Sequence, residues 1–278
     1  GEDYLGVVCK QFPRYSEYYG TIKESGIGLA CEEAARIILS ENRPFSMETA
    51  ACDEEYEPSS EYDSSFALQI FAAREAVFKI LAKESLSIHE KLIVILDMGS
   101  KIQQCINTDE YDNIKSVVND YLKEGIAHTL DETRNLSDSG QFEDISLQQG
   151  IRQILYPYEE MEVLNPEWEV ILKDIIDSLF EQMSDEEYNI LNEEFGTYMV
   201  SRAYEYRQLL EYLVFRYFAK SIYDYDFLGK CQMLVTNFFV IRQMDIIRWL
   251  DNHREYSFKD RMDVVHIFSR QVEYSEDN

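Results

Sequence analysis

From Ser64 onward, apolar residues recur near every 3.6 positions. Phe66, Ile70, Val77 and Leu81 fall on one face and predict an amphipathic helix over 64–84. Ser87-Ile88-His89-Glu90 has the form of a capping box, in which serine and glutamate side chains satisfy each other's backbone N–H groups. It predicts a helix running to about Ile106. Ser184-Asp185-Glu186-Glu187 repeats the device before an expected helix over 186–222. Further helices are predicted at 109–124, 143–155 and 166–183, with a last one capped by Ser257 and ending near Glu273. The stretch 227–250 differs from these. Met233, Leu234, Val235, Phe238, Phe239, Val240, Ile241, Met244, Ile246, Ile247, Trp249 and Leu250 leave it little polar face, which predicts a buried central helix. Leu209 to Phe218 is similar, and the two are expected to form the core of a bundle.

Residues 1–30 carry aromatics, glycines and Pro13 without sustained periodicity and predict mostly loop. A short helix is expected from about Cys31 to Ser40. Asp53 to Asp63 holds six acids, no base and Pro58, the signature of an exposed acidic linker. Asn135 to Gly140 is the best interior break within 64–278. With only 11 Gly and 5 Pro in 278 residues, the chain lacks the turns of a many-stranded protein. The fold class predicted is all-α, a multi-helix bundle behind an irregular N-terminal segment. Gly26-Ile27-Gly28 follows no predicted strand and lacks the rest of a dinucleotide fingerprint. Nothing else in the chain reads as the α/β sheet of a common methyltransferase either.

Charge narrows the choice of partners. The formal net charge is −27, but residues 202–270 hold 11 Lys/Arg against 9 Asp/Glu, while the rest holds 15 against 44. An acidic surface of this kind repels nucleic acid and anionic lipid, and it favours a lysine-rich protein partner or simple solubility. No apolar stretch approaches the ~18 residues of a membrane span, so no membrane insertion is expected. Five cysteines (Cys9, Cys31, Cys52, Cys105 and Cys231) make no disulfide framework and predict a reducing cytoplasm. Cys9 and Cys31 stand 22 positions apart, which matches no compact zinc or ferredoxin spacing. On spacing alone they read as structural cysteines, as do Cys105 and Cys231.

Three groups of residues could carry chemistry. Arg216 and Arg242 lie amid large apolar residues, where a guanidinium needs an anionic partner. That partner is either a carboxylate from another helix or a ligand carboxylate gripped by the fork. His266, Arg270 and Glu273 fall at i, i+4 and i+7 on the last helix, as an acid–base stripe or a structural one. Tyr204, Tyr206, Tyr212, Tyr217, Tyr223 and Tyr225 lie close together, as core or as a cage for a lysine ammonium.

Two phrases near the front, Cys9-Lys10-Gln11-Phe12-Pro13-Arg14 and Leu29-Ala30-Cys31-Glu32-Glu33-Ala34-Ala35-Arg36, resemble the flagellin lysine-N-methylase (FliB-type) family. There a Cys-Arg-x-Tyr-Pro-Arg phrase precedes Leu-x-Cys-Pro-Glu-x-Ala-Arg. Phe268-Ser269-Arg270-Gln271-Val272-Glu273-Tyr274-Ser275 is similar to the family's closing Tyr-Ser-Arg-x-x-Glu-His-Ser, with Tyr274 in place of the histidine. The resemblance implies S-adenosylmethionine-dependent methylation of lysine side chains on flagellin or another lysine-bearing protein. It further implies an iron–sulfur cluster with Cys9 and Cys31 among its metal ligands. It divides the chain into the remnant of a cysteine-rich module over 1–52, a linker over 53–63 and a helical domain over 64–278. The family's other cluster ligands are expected upstream of Gly1, so the cluster is expected to be incomplete here. Arg216, Arg242 and Tyr212 become candidates for cofactor or substrate binding, and His266, Arg270 and Glu273 for catalysis. The alternative from another class is a non-catalytic acidic helical adaptor for a basic protein, with Cys9 and Cys31 structural.

Overall fold

The computed structural model describes residues 12–51, 63–139 and 145–274. A hairpin leads, with β1 (Arg14–Tyr19) paired antiparallel to β2 (Ile22–Ile27), followed by α1 (Glu32–Leu39). Then come α2 (Ser64–Leu81), α3 (Ile88–Asn107), α4 (Ile114–Asp120), α5 (Ile126–Asp138) and α6 (Leu147–Glu159). The rest is α7 (Pro166–Ile175), α8 (Asp185–Tyr198), α9 (Ala203–Tyr217), the short α10 (Ser221–Asp224), α11 (Phe227–Asp251) and α12 (Phe258–Val272). The hairpin is the only sheet among the described residues. The all-α bundle holds.

The helices begin where the sequence caps them. Ser87 and Glu90 close a capping box on α3, Ser184 and Glu187 on α8, and Ser257 and Asp260 on α12. Ser146 and Gln149 do the same on α6. Asp63 caps α2, accepting from the Ser65 and Phe66 amides at 2.8 and 3.1 Å. Each such cap stabilises its helix by about 1 kcal/mol. α11 is central, as its lack of a polar face requires, and it packs against α3, α6, α7, α9 and α12. α3 approaches α11 closely at Gly99, where a Cβ would stand 2.6 Å from Cys231 Sγ. Only glycine fits there.

The front of the chain corrects the loop expected over 1–30. Gly20, at φ 59°, takes the first central position of a two-residue turn between Tyr19 and Ile22, a place that favours glycine in tight hairpins. Tyr15 to Tyr19 and Ile22 to Ile27 supply the β-forming residues on either side. The hairpin is tied to α2 by Arg74, whose guanidinium donates to both Glu24 oxygens at 2.5 and 2.7 Å while lying against Phe71 and Phe215. Tyr19, Leu29, Ala35 and Leu39 are buried in the same continuous core as the bundle. The expected 53–63 linker lies outside the described residues except for Asp63.

Three helix boundaries also differ from expectation. The single helix predicted over 186–222 is broken into α8, α9 and α10, with 3-10 turns at Val200–Arg202 and Phe218–Lys220. At the first break the Arg202 side chain pairs with Glu205 and donates to the Tyr256 carbonyl at 2.6 Å. No Gly or Pro marks either break, and apolar periodicity runs through both. The helix expected at 109–124 continues through a π-helical turn at Tyr121–Gly125 into α5, which ends at Asp138, inside the break expected at Asn135 to Gly140. α7 likewise runs on into a π-helical turn at Ile176–Glu181.

Candidate functional site

α1 packs against both α9 and α12, so the front phrase around Cys31 and the closing phrase around Glu273 meet on α9. Arg216 of α9 is the centre of that meeting. Its Nε is ion-paired with Glu273 Oε2 at 3.1 Å, and its Nη1 donates to the Tyr212 hydroxyl at 2.9 Å. The same carboxylate oxygen accepts from the Tyr212 and Tyr217 hydroxyls at 2.9 and 2.8 Å. The Leu29 amide donates to the Tyr212 oxygen at 3.4 Å, tying the front phrase in. The guanidinium lies over the Tyr15 ring, 4.5 Å from its centroid, with the Tyr217 ring 5.5 Å away. Gly28 lets the end of the hairpin pass, since a Cβ there would stand 3.1 Å from Arg216 Nη1.

Burial raises the Tyr212 phenol well above its usual range. Glu273 raises it further and Arg216 opposes, so the hydroxyl remains a neutral donor. Burial works against the Arg216 charge, but Glu273 and the surrounding phenols more than restore it. One atom of this cluster has no partner: Glu273 Oε1 is buried and makes no hydrogen bond.

Beside Tyr15 and Tyr212 opens a cleft of about 310 Å³. Phe45 and Phe215 wall it, and Gln208 and Glu211 of α9, together with Arg43, Ser46 and Glu48, supply its polar lining. Phe45 is held by stacking on Phe78, with ring centroids 4.1 Å apart. Glu211 pairs with Arg207 at 3.1 Å, and its side chain is only 3% exposed. Burial pushes its carboxyl up, while Arg207 and Lys91 pull it back. Lys91 shows the converse: burial and Arg207 lower its ammonium, and Glu211 and Glu84 raise it. Gln208 gives its amide hydrogen to the Glu41 carbonyl, and its buried Oε1 has no partner.

Arg242 lies elsewhere, on α11, at a second cleft of about 390 Å³. It is 7% exposed. Its Nη2 donates to the Asn192 carbonyl at 3.0 Å, its guanidinium lies over Phe195, and among the described residues it makes no ion pair. His89 shares this cleft, and burial, helped by Arg242, holds its imidazole below the usual value.

The structure thus brings Arg216, Tyr212 and Glu273 into one cluster and leaves the other candidates apart. Glu273 turns inward at the end of α12, whereas Arg270 is exposed and makes no ion pair among the described residues. His266 is half-buried, with its Nδ1 unpartnered. Tyr274 is half-exposed beside Gly28. Cys31 is a partly exposed free thiol at the N-cap of α1, and Cys105 and Cys231 are buried. Cys9 and Cys52 lie outside the described residues. The residues that sequence patterns did not single out are Tyr15, Glu211, Gln208 and, as a cleft residue, His89. His89 was legible only as part of a capping box, and Tyr15 depends on a hairpin that shows no helical period.

A family profile described as the FliB lysine N-methylase C-terminal domain matches residues 74–278. The chain belongs to that family. The match takes in Arg216, Tyr212, Arg242 and the closing phrase of the FliB lysine N-methylase C-terminal domain, while the hairpin and α1 precede it. No curated protein and no solved structure matches the chain. No described helix is long and apolar enough to cross a membrane.

Proposed function

We propose that this chain is the C-terminal part of a cytoplasmic methylase that transfers methyl groups from S-adenosylmethionine to lysine side chains of flagellin. The family match over residues 74–278 carries the proposal. The cleft beside Arg216 and Glu273 supports it, because its lining suits a lysine. Phe45, Phe215, Tyr15 and Tyr212 can pack against the aliphatic stem, and the aromatic faces with Glu211 can receive the ammonium.

A lysine ammonium has no lone pair and must lose a proton before it can attack. Glu211, dehydrated and raised, is placed to accept that proton and pass it to solvent. The neutral amine then forms the new N–C bond as the C–S bond of the sulfonium breaks. The bonding pair leaves on sulfur as a neutral thioether, and the positive charge moves to the methylated nitrogen. The Arg216–Glu273–Tyr212 cluster stands behind the Tyr212 wall of the cleft and is a positioning element, since Arg216 is already engaged by Glu273 and Tyr212. Arg216 is therefore not free to grip the donor's carboxylate.

The iron–sulfur cluster is proposed for the full-length protein, with Cys31 and Cys9 as two ligands. Among the described residues no three His, Cys, Asp or Glu side chains converge to hold a metal ion. Those residues do not make a cluster site by themselves, and no step is assigned to one. The experiment is methyl transfer to flagellin by the full-length protein, purified anaerobically, alongside Glu211→Gln. Transfer that falls about tenfold or more in Glu211→Gln with unchanged melting supports the assignment. Transfer unaffected by Glu211→Gln removes the cleft from the reaction. Flagellin binding without any transfer returns the domain to an acidic adaptor.

A further inference from the structure

The cleft at Arg242 is chemically incomplete. A guanidinium buried to 7% exposure ordinarily has a carboxylate, and this one has a single backbone carbonyl, from Asn192. It nevertheless lines an open cleft of about 390 Å³, within the range of small-ligand sites, about 300–1,000 Å³. Glu193 lines the same cleft with no ion pair to Arg242 or to any other described residue. A purely structural pair would have closed; these two charges face a common space and stay apart. Ile151 and Phe239 supply an apolar wall. Gly196 lines the same space, 3.6 Å from Arg242 Nη2 measured from where a Cβ would stand. His89, held toward its neutral form beside Arg242, leaves the guanidinium as the cleft's fixed positive charge.

The geometry points to a site for the zwitterionic end of an α-amino acid with an apolar side chain. Arg242 takes the carboxylate, Glu193 the ammonium, and Ile151 and Phe239 the side chain. An anion alone would leave Glu193 repelling it across the cleft, and a cation alone would meet Arg242. A ligand carrying both charges, as an α-amino acid does, satisfies both walls. This chemistry has two sources: a free amino acid such as methionine, or the amino-acid end of the methyl donor. The Glu211 cleft is separate, because the two clefts share no lining residue.

The test is calorimetric titration of the full chain with L-methionine, with S-adenosylhomocysteine and with 3-(methylthio)propylamine, which lacks the carboxylate. The proposal expects one or both of the first two to bind and the amine to bind at least about tenfold more weakly. Arg242→Met and Arg242→Lys should each weaken binding about tenfold or more, the latter because an ammonium keeps the charge and loses the fork. Glu193→Gln, an exposed change that should leave folding intact, should weaken it several-fold. Methionine and S-adenosylhomocysteine competing for one site identify the donor's end, and methionine alone identifies a free amino acid. Equal binding of the amine, binding unchanged in Glu193→Gln, or no binding by either amino-acid ligand overturns the proposal. It stands or falls separately from the methylase assignment. Binding through Arg242 without methyl transfer sinks only the latter, and methyl transfer by a protein in which neither amino-acid ligand binds through Arg242 sinks only this one.

Discussion

Arg242 and Asp245 lie one turn apart on α11, and their surroundings are opposite in kind. Asp245 is wholly buried and fully engaged. Arg261 donates to it at 2.6 Å, Tyr206 at 2.5 Å, and Tyr256 donates to its other oxygen. Arg261 in turn reaches Glu205 at 3.1 Å, and Glu205 is held by Arg202. Two acids and two bases thus alternate in a chain across α9, α11, α12 and the turn before α9, with only Arg261 Nη2 left unpartnered among its buried charged atoms. Arg242, nearly as deeply placed, has neither an acid nor a phenol as a hydrogen-bond partner. The difference shows that burial alone does not give a charged residue its role. What matters is whether the fold supplies the counter-charge, and at Arg242 it supplies a cleft instead.

The largest effect should follow from opening the paired side. Arg261→Met leaves Asp245 buried without a cation and Glu205 with Arg202 alone, and should cost about 3–5 kcal/mol, read by denaturant unfolding. Replacing Arg261 and Asp245 together by apolar residues of similar size should recover most of that loss. A single variant as stable as the parent would mean that the network contributes nothing net.

Arg216 should behave as an intermediate case. Arg216→Met removes the ion-pair partner of Glu273 and a guanidinium from the Tyr15 ring, but the Tyr212 and Tyr217 hydroxyls remain on the carboxylate. A loss of about 2–3 kcal/mol is expected from the same measurement.

At Arg242 the expectation inverts. Arg242→Met should change stability by no more than about 1 kcal/mol, since no ion pair is lost and a lone buried charge is removed. A loss as large as that of Arg261→Met would show that a counter-charge had been missed.

The smallest effect is on His89. Its folded-state pKa lies below the unfolded value of about 6.5, through burial and then Arg242. The unfolded chain therefore binds the proton more readily. This contribution to stability is complete above about pH 6.5 and is lost as pH falls through the folded pKa. NMR titration of His89 should give a midpoint below 6.5 that rises in Arg242→Met. A midpoint at or above 6.5 in the parent would contradict this account.

The bundle was legible because helix formation is local. Ser87, Ser184 and Ser257 announce their helices within four residues, and the apolar run of 227–250 announces its own burial. The hairpin was not legible, because its strands are short and half-exposed and its one sharp signal is Gly20. The breaks at 200–202 and 218–220 were hidden because tertiary bonds made by Arg202 set the first, with no residue type to mark either. Of the site, Tyr212 and Arg216 could be placed together from their i, i+4 spacing. That Glu273 completes them across 57 positions from Arg216 depends on the packing of α12 on α1 and α9. Sequence showed that Arg242 would be buried, but an absent partner has no sequence signal.

The contact between Gly99 and Cys231 sorts the sulfur chemistry of the chain. Cys231 Sγ is sealed into the surface of α3, and burial raises its thiol far above the range in which a thiolate forms. Among the described cysteines only Cys31, partly exposed, lies within easy reach of an oxidant or an alkylating reagent. Attack on Cys231 must wait until α3 and α11 separate. Its modification would therefore record each opening of the core, while modification of Cys31 would report only on the surface.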